Sequence, residues 1–505
     1  MVKKEVNIMG LLEQAFSEEG QSELQEIGSV VRVGDGIASV YGLTGAIYGE
    51  LITFDTGDQG VALDLDEHFV SVVLLDKTSN VVEHTQAFRT GAAFQVPVGE
   101  CLLGRTINAR GIPLDGLGAL GATETRPIER EAPGIINRKP INRPFETGII
   151  AIDTLVPIGK GQRELLVGGR STGKTSIVLD IILNQKNKNV ICIYVSIGHK
   201  QADTAKIVDL LEQQGAIEYS IIIAADAYDS ALNQFFAPYA GCSIGEYFMD
   251  KGRDVLIVYD DLSNHAVAYR ELALLLRRPP GREAYPGDIF YIHARLLERA
   301  GQLSDPLGAG SLTALPVAQL QGDDIAAYIP TNLISITDGQ ILLDTNLFNE
   351  GIRPAINIGL SVSRVGGAAQ YPATKMLAGQ LRLDLAQFEE LQAFLQFGSE
   401  LDKSSRQKLD RGHRAIELMK QARYDLHSFA DQTLFIFLLR MEFLDRFNLE
   451  EVSDVAKKFA DFIEKMHNKM YLEIQETKTL HPRNIDQLKI IAEDFCLIFT
   501  QSNNT

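Results

Sequence analysis

Residues 164–183 read ELLVGGRSTGKTSIVLDIIL, which is an apolar run, a glycine-rich turn and a second apolar segment able to continue as a helix. Residues 168–175 within it fit the pattern G-x-x-x-x-G-K-[ST]. Glycines in such a turn let backbone N–H groups approach phosphates, and the following helix presents its positive N-terminal dipole to them. The stretch therefore predicts an α/β domain with a nucleoside triphosphate site.

Two side chains of this loop have predicted roles. Lys174 is expected to reach the β- and γ-phosphates, and the Thr175 hydroxyl is expected to bind Mg²⁺. A second apolar run, residues 254–261 (DVLIVYDD), ends in two carboxylates. Asp260 directly follows its apolar part, where folds of this class hold magnesium through water. The sequence thus predicts a nucleoside triphosphate together with Mg²⁺ as ligands.

Hydrophobic periodicity separates the first part of the protein into two zones. Residues 1–25 include apolar side chains at helical spacing and predict an amphipathic N-terminal helix or arm. Residues 26–95 consist of short alternating runs broken by turn formers, and Val61, Leu63 and Leu65 alternate there with alanine and aspartate. This second zone predicts a small β-barrel domain.

The remaining residues form two further zones. Residues 96–375 contain near-continuous Val, Ile and Leu runs such as NVICIYVSIG, which suit parallel strands buried on both faces and predict an α/β nucleotide-binding core. Residues 376–505 are predicted to be helical, since no proline occurs between Pro372 and Pro482. Apolar residues at a three-four spacing support this helix: Leu381, Leu385, Phe388, Leu391 and Leu395.

Composition excludes several classes of protein. The sequence has 505 residues, 45% of them hydrophobic, which indicates more than one folded domain. Its net charge of −18 disfavours nucleic acid as a ligand. The four cysteines show no disulfide or zinc spacing, which favours a reducing compartment. Without a long apolar run or a signal-peptide core, we expect a protein that does not span a membrane and either works where it is made or has lost a presequence.

Longer stretches are specific enough to name a family. Residues 127–169, 259–291, 328–341 and 351–367 closely resemble the α subunits of F-type ATP synthases, and the resemblance runs from about residue 26 to 425 with a weaker fit beyond. The sequences are PIEREAPGIINRKPINRPFETGIIAIDTLVPIGKGQRELLVGG, YDDLSNHAVAYRELALLLRRPPGREAYPGDIFY, YIPTNLISITDGQI and GIRPAINIGLSVSRVGG.

The resemblance implies a fold and a set of partners. The fold is an N-terminal β-barrel, a central RecA-like P-loop nucleotide-binding domain and a C-terminal α-helical bundle. In that family α alternates with the β subunit in a hexamer around the γ subunit, on the peripheral face of a mitochondrial inner, thylakoid or bacterial plasma membrane. The N-terminal helix would dock a δ-type (OSCP-type) peripheral-stalk subunit, and residues 277–288 (RRPPGREAYPGD) would face γ.

The resemblance also implies site residues. The α site would bind ATP or ADP with Mg²⁺ without turning it over. Arg364 in SVSRVG matches an arginine finger that acts in the neighbouring β site, and Ser361 matches a second position associated with activity. The nucleotide would be held by a loop and a base clamp comprising Gly168, Gly169, Arg170, Ser171, Thr172, Gly173, Lys174, Thr175, Phe348, Arg353, Pro354, Gln421 and Arg423.

The sequence departs from the usual α pattern at several of these positions. Gly169 and Ser171 stand where GDRQTGKT has aspartate and glutamine, and Arg423 replaces a glutamine. After the strand NVICIYVSIG, a hydrolysing site needs a carboxylate to polarise water, and the usual α residue is glutamine, but this protein has His199. We therefore expect a site that binds nucleotide without hydrolysing it.

Two other interpretations stay open at this stage. The departures are also compatible with an F-type-like head adapted to another motor or export task, and the barrel with a RecA-like core is compatible with a hexameric helicase or RNA translocase. Against the latter stand the net charge and the α-type motifs. Coupling to H⁺ or Na⁺ is decided elsewhere in such a complex. His265 and His293 lie inside family motifs, and we interpret them as structural.

Overall fold

The computed structural model describes residues 26–77, 79–395 and 402–503. The amphipathic helix predicted in residues 1–25 lies outside this described part. The protein forms two compact units, one reaching to Phe94 and including Leu272–Arg278, the other formed by the remaining residues from Gln95 onward.

The first unit contains a closed six-stranded antiparallel barrel in the order β1-β2-β5-β4-β3-β6, as the alternating pattern predicted. Its interior is filled by small and β-branched side chains, among them Val30, Ala38 and Ile52. The strands are β1 (Ile27–Gly34), β2 (Ile37–Tyr41), β3 (Glu50–Phe54), β4 (Gln59–Leu65), β5 (Phe69–Leu74) and β6 (Gln86–Ala93).

Strand β4 does not keep the alternation read from the sequence. Its pairing with β5 is interrupted by a bulge between Ala62 and Asp64, and an extra residue on one strand reverses which side chains face the core. Val61 and Leu63 are buried, but so is Ala62, while Leu65 is 43% exposed. The alternation of residue types in the sequence therefore does not become an alternation of burial along β4.

The second unit is built on a nine-stranded, mostly parallel sheet in the order β19-β18-β12-β17-β15-β13-β14-β8, with β16 paired to β17. Strands β12, β17, β15, β13 and β14 pair in parallel, as expected from their continuous apolar runs, and β13 and β14 are buried along their whole length. The strands are β8 (Thr106–Asn108), β12 (Leu165–Gly168), β13 (Val190–Ile197), β14 (Ser220–Ala225), β15 (Asp254–Asp260), β16 (Gly301–Gln302), β17 (Ser311–Gln319), β18 (Gly339–Leu343) and β19 (Val362–Ser363).

Two short antiparallel pairs and eight helices complete the described nucleotide-binding part of this unit. The pairs are β7 (Gln95–Val98) with β9 (Glu124–Pro127), and β10 (Pro144–Phe145) with β11 (Ile158–Gly159). The helices are α1 (Ile150–Leu155), α2 (Lys174–Leu183), α3 (Gln201–Gln213), α4 (Ala231–Asp250), α5 (Leu262–Leu275), α6 (Ile289–Leu297), α7 (Tyr328–Ile336) and α8 (Thr345–Asn349). The last four residues of α5 belong to the first unit.

The C-terminal part is helical, as predicted, and its core is continuous with that of the sheet. Leu381, Leu385 and Phe388 are buried on one face of α10. Among the described residues, no helix is both long enough and apolar enough to cross a bilayer. The helices are α9 (Pro372–Ala378), α10 (Leu381–Leu395), α11 (Lys403–Met419), α12 (Phe429–Arg440), α13 (Val452–Met466), α14 (Asn468–Thr477) and α15 (Pro482–Asn503).

His265 and His293 form a fully buried pair between α5 and α6. His265 Nε2 lies 3.1 Å from the Phe235 carbonyl oxygen and must donate to it, so His265 Nδ1 accepts from His293 Nε2 at 3.2 Å. Burial lowers the pKa of His265 to about 4, and burial followed by the neighbouring His265 lowers the pKa of His293 well below its usual value. Both imidazoles are therefore neutral when folded, which supports the structural role predicted for them.

This pair makes the stability of the second unit sensitive to acid. An unfolded histidine binds a proton near pH 6.5, whereas folded His265 binds one only near pH 4. The free energy of unfolding thus has its full value above pH 6.5 and falls progressively as the pH drops toward 4. The loss from His265 alone is about 3 kcal/mol. Thermal unfolding between pH 7.5 and 4.5 should show a shallower decline for His293→Gln than for the wild type. Equal slopes would contradict this assignment.

Candidate functional site

The glycine-rich loop joins the carboxyl end of β12 to the first turn of α2. Gly173 adopts a left-handed conformation (φ 98°) immediately before the helix begins at Lys174, and Ser171 is also left-handed (φ 62°). Arg170 and Ser171 are exposed, whereas Thr172 is buried and donates to the Gly169 carbonyl at 2.9 Å. The backbone N–H groups of the loop and of the first helical turn are thereby gathered at one point, as a phosphate site requires.

The Lys174 ammonium is held inside this loop. Its Nζ donates to the carbonyl oxygens of Gly168 at 2.9 Å and Gly169 at 2.5 Å. Burial lowers the pKa of Lys174, and the nearby Asp261, Asp260 and Asp323 carboxylates oppose that shift only in part. The ammonium group therefore lies against the backbone of the loop, at the N-terminus of α2.

Thr175 and Asp260 meet as the sequence led us to expect. The Thr175 hydroxyl donates to Asp260 Oδ2 at 3.0 Å, and the Tyr194 hydroxyl donates to the same oxygen at 2.7 Å. Asp260 is buried at the end of β15, next to β13 in the sheet. A hydroxyl and a carboxylate brought together beside the phosphate loop are oxygen ligands of the kind that Mg²⁺ prefers.

His199 lies against the other oxygen of Asp260. Its Nε2 is 3.3 Å from Asp260 Oδ1. Burial alone would lower the pKa of His199, but Asp260, helped by Asp261 and Asp203, overrides burial and raises it to about 9. Burial would likewise raise the pKa of Asp260, and the contacts with His199, Tyr194 and Thr175 lower it instead. At neutral pH the pair is an imidazolium and a carboxylate.

Gly169 is explained by a close approach. Asp323 Oδ1 and Thr345 Oγ1 lie where a Cβ atom of residue 169 would stand, Thr345 Oγ1 at 2.7 Å from it, and they are hydrogen-bonded to each other at 2.9 Å. An aspartate at position 169 would meet the Asp323 carboxylate directly. The replacement of aspartate by glycine in this loop therefore goes together with Asp323 occupying the same space.

A cavity of about 720 Å³ opens beside the loop and runs along α2. It brings together all the residues predicted to clamp the base with residues of the loop. The predicted members that line it are Thr172, Gly173, Phe348, Arg353, Pro354, Gln421 and Arg423. The Arg353 guanidinium stands 4.4 Å above the centre of the Phe348 ring, a cation–π contact.

Gln421 and Arg423 differ in what their side chains do. The Gln421 amide is buried, accepts from the Ile150 N–H at 3.1 Å and donates to the Gly148 carbonyl at 2.8 Å and to the Asp425 carbonyl. Arg423 is exposed to the cavity, near Asp180 of α2. Gln421 thus serves to fix the segment that carries Arg423.

Arg364 follows the strand β19, which pairs with the end of β18 opposite to the glycine loop. Ser363 of β19 pairs with Gly339, the first residue of β18, whereas Gly168 pairs with Leu343 at the far end of β18. Four residues of strand separate these positions by about 13 Å. The Arg364 side chain is exposed, and its backbone N–H donates to the Asp338 carbonyl at 2.8 Å.

Ser361 does not accompany Arg364 at the surface. It is fully buried, and its hydroxyl oxygen accepts from the Leu342 N–H at 3.0 Å. Ser363 fixes the backbone next to Arg364, because its hydroxyl accepts from Gln162 Nε2 at 3.1 Å and donates to the Pro157 carbonyl at 2.7 Å. In the structure Ser361 thus binds the backbone of β18 from the segment that leads to β19.

Three family models match most of the sequence. They describe the β-barrel domain of the ATP synthase alpha/beta family at residues 23–91, its nucleotide-binding domain at residues 148–363 and the C-terminal domain of its alpha/beta subunits at residues 370–495. Their order is that of the barrel, the nine-stranded sheet and the helical part. The chain belongs to the family of F-type ATP synthase α subunits.

Relatives named ATP synthase subunit alpha show how far the likeness extends. The protein of Wolinella succinogenes is 52% identical over 474 residues, covering 94% of this chain and 95% of the relative. Those of Helicobacter pylori strain G27 and Helicobacter acinonychis are 52% identical over 479 residues, each with 95% coverage of this chain. The family resemblance and the fold class inferred from the sequence are confirmed, and the protein is a peripheral part of an ATP synthase complex with a nucleotide-binding domain.

Three residues of the site escaped the sequence analysis. Tyr194 lies in the middle of β13, where the sequence pattern predicts a residue of the hydrophobic core. Asp323 follows β17, in a loop that contains no recognisable motif. Asp180 lies on the cavity side of α2 and accepts from the Tyr424 N–H at 3.1 Å. Of these three residues, Asp180 alone gave a signal in the sequence, because it places a carboxylate inside the apolar run SIVLDIIL.

Proposed function

We propose that this protein is the non-catalytic α subunit of its ATP synthase. It binds Mg-nucleotide at its own site without turning it over and supplies Arg364 to the catalytic site of an adjacent β subunit during ATP synthesis or hydrolysis coupled to ion transport. One observation carries this proposal: Arg364 is exposed about 13 Å along the sheet from the protein's own phosphate loop. An arginine so placed serves a neighbouring site.

The α subunit's own site is suited to hold a nucleotide. Lys174 and the N–H groups at the start of α2 would bind the phosphates, Thr175 and Asp260 would hold Mg²⁺, and the base would enter the cavity beside Phe348. When bound, Mg²⁺ neutralises charge on the phosphate oxygens. The Thr175 and Asp260 oxygens, 3.0 Å apart beside the loop, fit such an ion.

The same site is poorly suited to hydrolysis. A general base must accept a proton from the attacking water, and the position after β13 that would provide it holds His199. The Asp260 carboxylate raises the pKa of that imidazole to about 9, and a protonated imidazole has no free nitrogen lone pair with which to accept a proton. This supports binding without turnover.

We further propose the partners that go with this role. The β subunit would alternate with this protein, and the γ subunit would meet the rigid loop after α5. In that loop Pro280 and Pro286 form an antiparallel bridge, and the Gly281 N–H donates to the Tyr285 carbonyl at 2.7 Å. A δ-type peripheral-stalk subunit would bind residues 1–25. The complex would stand on the peripheral face of an energy-coupling membrane.

Nucleotide binding by the purified protein tests the proposal for its own site. Lys174→Ala should weaken Mg-ATP binding by about 100-fold, because a charge-assisted contact to two phosphates is lost. Lys206→Ala is the matched control, since Lys206 is exposed on α3 and pairs only with Asp203 at 3.0 Å among the described residues. Isothermal titration calorimetry gives both affinities. Unchanged binding by Lys174→Ala would contradict the site.

A further inference from the structure

The segment that carries Arg364 is a short turn held by one hydroxyl group. Ser363 Oγ accepts from the Gly366 N–H at 3.2 Å, which closes the turn around Arg364. The same hydroxyl donates to the Pro157 carbonyl at 2.7 Å. The Arg364 guanidinium makes a contact at the limit of a hydrogen bond, 3.5 Å to the Ile334 carbonyl oxygen. The direction of the guanidinium therefore depends on the backbone that Ser363 holds.

A buried amide in turn fixes the Ser363 hydroxyl. Gln162 Nε2 donates to Ser363 Oγ at 3.1 Å and to Glu164 Oε2 at 2.7 Å, which uses both of its hydrogens. Gln162 Oε1 accepts from the Gly159 N–H at 2.8 Å, so the amide has one orientation that satisfies all of these partners. Glu164 is thus the inner end of a chain of hydrogen bonds that leads through Gln162 and Ser363 to the turn of Arg364.

The Glu164 carboxyl is fully buried immediately before β12. Among the residues that the structure describes, its Oε1 has no hydrogen-bond partner. Its Oε2 lies 2.5 Å from where a Cβ atom of Gly339 would stand, so the carboxyl packs directly against the residue that pairs with Ser363. Burying a carboxyl oxygen without a partner costs stability, and an apolar side chain of similar size would avoid that cost. Such a group beside a residue with a proposed catalytic role indicates a functional requirement.

The charge state favoured by this environment suits a position next to a cationic finger. Burial and then the Asp338 carboxylate raise the pKa of Glu164 well above its usual value, although Gln162 and the Arg364 guanidinium oppose the shift. These surroundings favour the neutral carboxyl. A neutral group can accept from Gln162 without drawing the guanidinium inward as a counter-ion, which an ionised group would do.

We propose that Glu164 is a positioning residue for Arg364: through Gln162 and Ser363 it sets the turn from which the finger extends toward the adjacent β subunit. The inference rests on the proposed function of Arg364. Glu164 acts through the finger and not on the reacting atoms. Its effect is therefore on kcat in the neighbouring site, because a small displacement of a group that stabilises the transition state is costly.

Steady-state ATP hydrolysis by complexes assembled with α-subunit variants tests this proposal. Glu164→Ala removes the acceptor of Gln162 and should lower kcat about tenfold with an unchanged KM for Mg-ATP. Ser363→Ala should cause a similar loss, and it keeps the test decisive if Glu164→Ala does not assemble. Glu164→Gln retains an acceptor for Gln162 and should recover most of the lost activity. Glu476→Ala, which changes an exposed glutamate of α14, should have the wild-type kcat.

Combination with Arg364→Ala shows whether Glu164 acts through the finger. The effects of two substitutions do not add when one residue acts through the other. In complexes that already contain Arg364→Ala, neither Glu164→Ala nor Ser363→Ala should therefore reduce the residual hydrolysis further. A further tenfold loss would show a general structural role, and it would overturn the proposal, as would a Glu164→Gln complex that is as impaired as Glu164→Ala.

Arg364→Ala by itself separates this inference from the proposed function. A wild-type kcat in either Glu164→Ala or Ser363→Ala, with hydrolysis lost in Arg364→Ala, would overturn the positioning role and leave the finger standing. Normal hydrolysis in Arg364→Ala would overturn both.

Discussion

Replacing Arg364 with alanine is expected to lower ATP hydrolysis by the assembled complex by a factor of about 10³ or more, the range found for arginines that stabilise charge on a transferring phosphoryl group. Arg364 is exposed, and its own backbone is fixed to Asp338. Its loss should therefore leave the fold intact and reduce kcat in the neighbouring β site. Steady-state hydrolysis by complexes assembled with each variant measures the effect.

Two companion variants make this result specific. Arg364→Lys keeps the positive charge and loses the planar fork of donors, so it should remain strongly impaired. Arg483→Ala removes an exposed arginine at the start of α15 and should retain wild-type activity. If a complex that contains Arg364→Ala has the correct subunit composition and normal ATP hydrolysis, Arg364 does not act as an arginine finger.

The second large effect is on stability. Arg299 and Glu246 form an ion pair whose side chains are each only 1% exposed. The guanidinium donates to both Glu246 oxygens at 2.8 Å and to the Ile128 carbonyl at 2.6 Å. Glu246→Ala would leave a buried charge without its partner and should lower the free energy of unfolding of the second unit by about 3–5 kcal/mol. Urea denaturation followed by far-ultraviolet circular dichroism measures this loss.

The double variant Arg299→Met, Glu246→Leu is the appropriate control. Because apolar residues of similar volume can replace a buried ion pair at little cost, it should recover most of the stability lost in Glu246→Ala. A Glu246→Ala protein that unfolds at the wild-type urea concentration would show that the charge of Arg299 is compensated in another way.

Much of the architecture could be predicted because it depends on local patterns. The runs that became β12, β13, β14 and β15 are mostly apolar and bounded by turn formers, so their burial on two faces was visible without a structure. The glycine loop is equally local, and its Lys174 donates to the carbonyl oxygens of Gly168 and Gly169.

The features that were missed depend on contacts between distant residues. The bulge in β4 arises from its pairing with β5, and no residue type in β4 predicts it. His199 meets Asp260 because β13 and β15 are neighbours in the sheet, an order that the sequence does not contain. Arg423 and Asp180 are brought together although more than 200 residues separate them in sequence. Spatial neighbours of this kind decide the chemistry of the site.

The proposed division of labour is tested most directly by measuring Mg-ATP hydrolysis by the purified α subunit alone and again after assembly with its β and γ partners. We predict that the α subunit alone retains bound nucleotide without forming ADP and that the assembled complex hydrolyses ATP. Turnover by the α subunit alone, abolished by Lys174→Ala and insensitive to Arg364→Ala, would contradict the account and place catalysis in its own site.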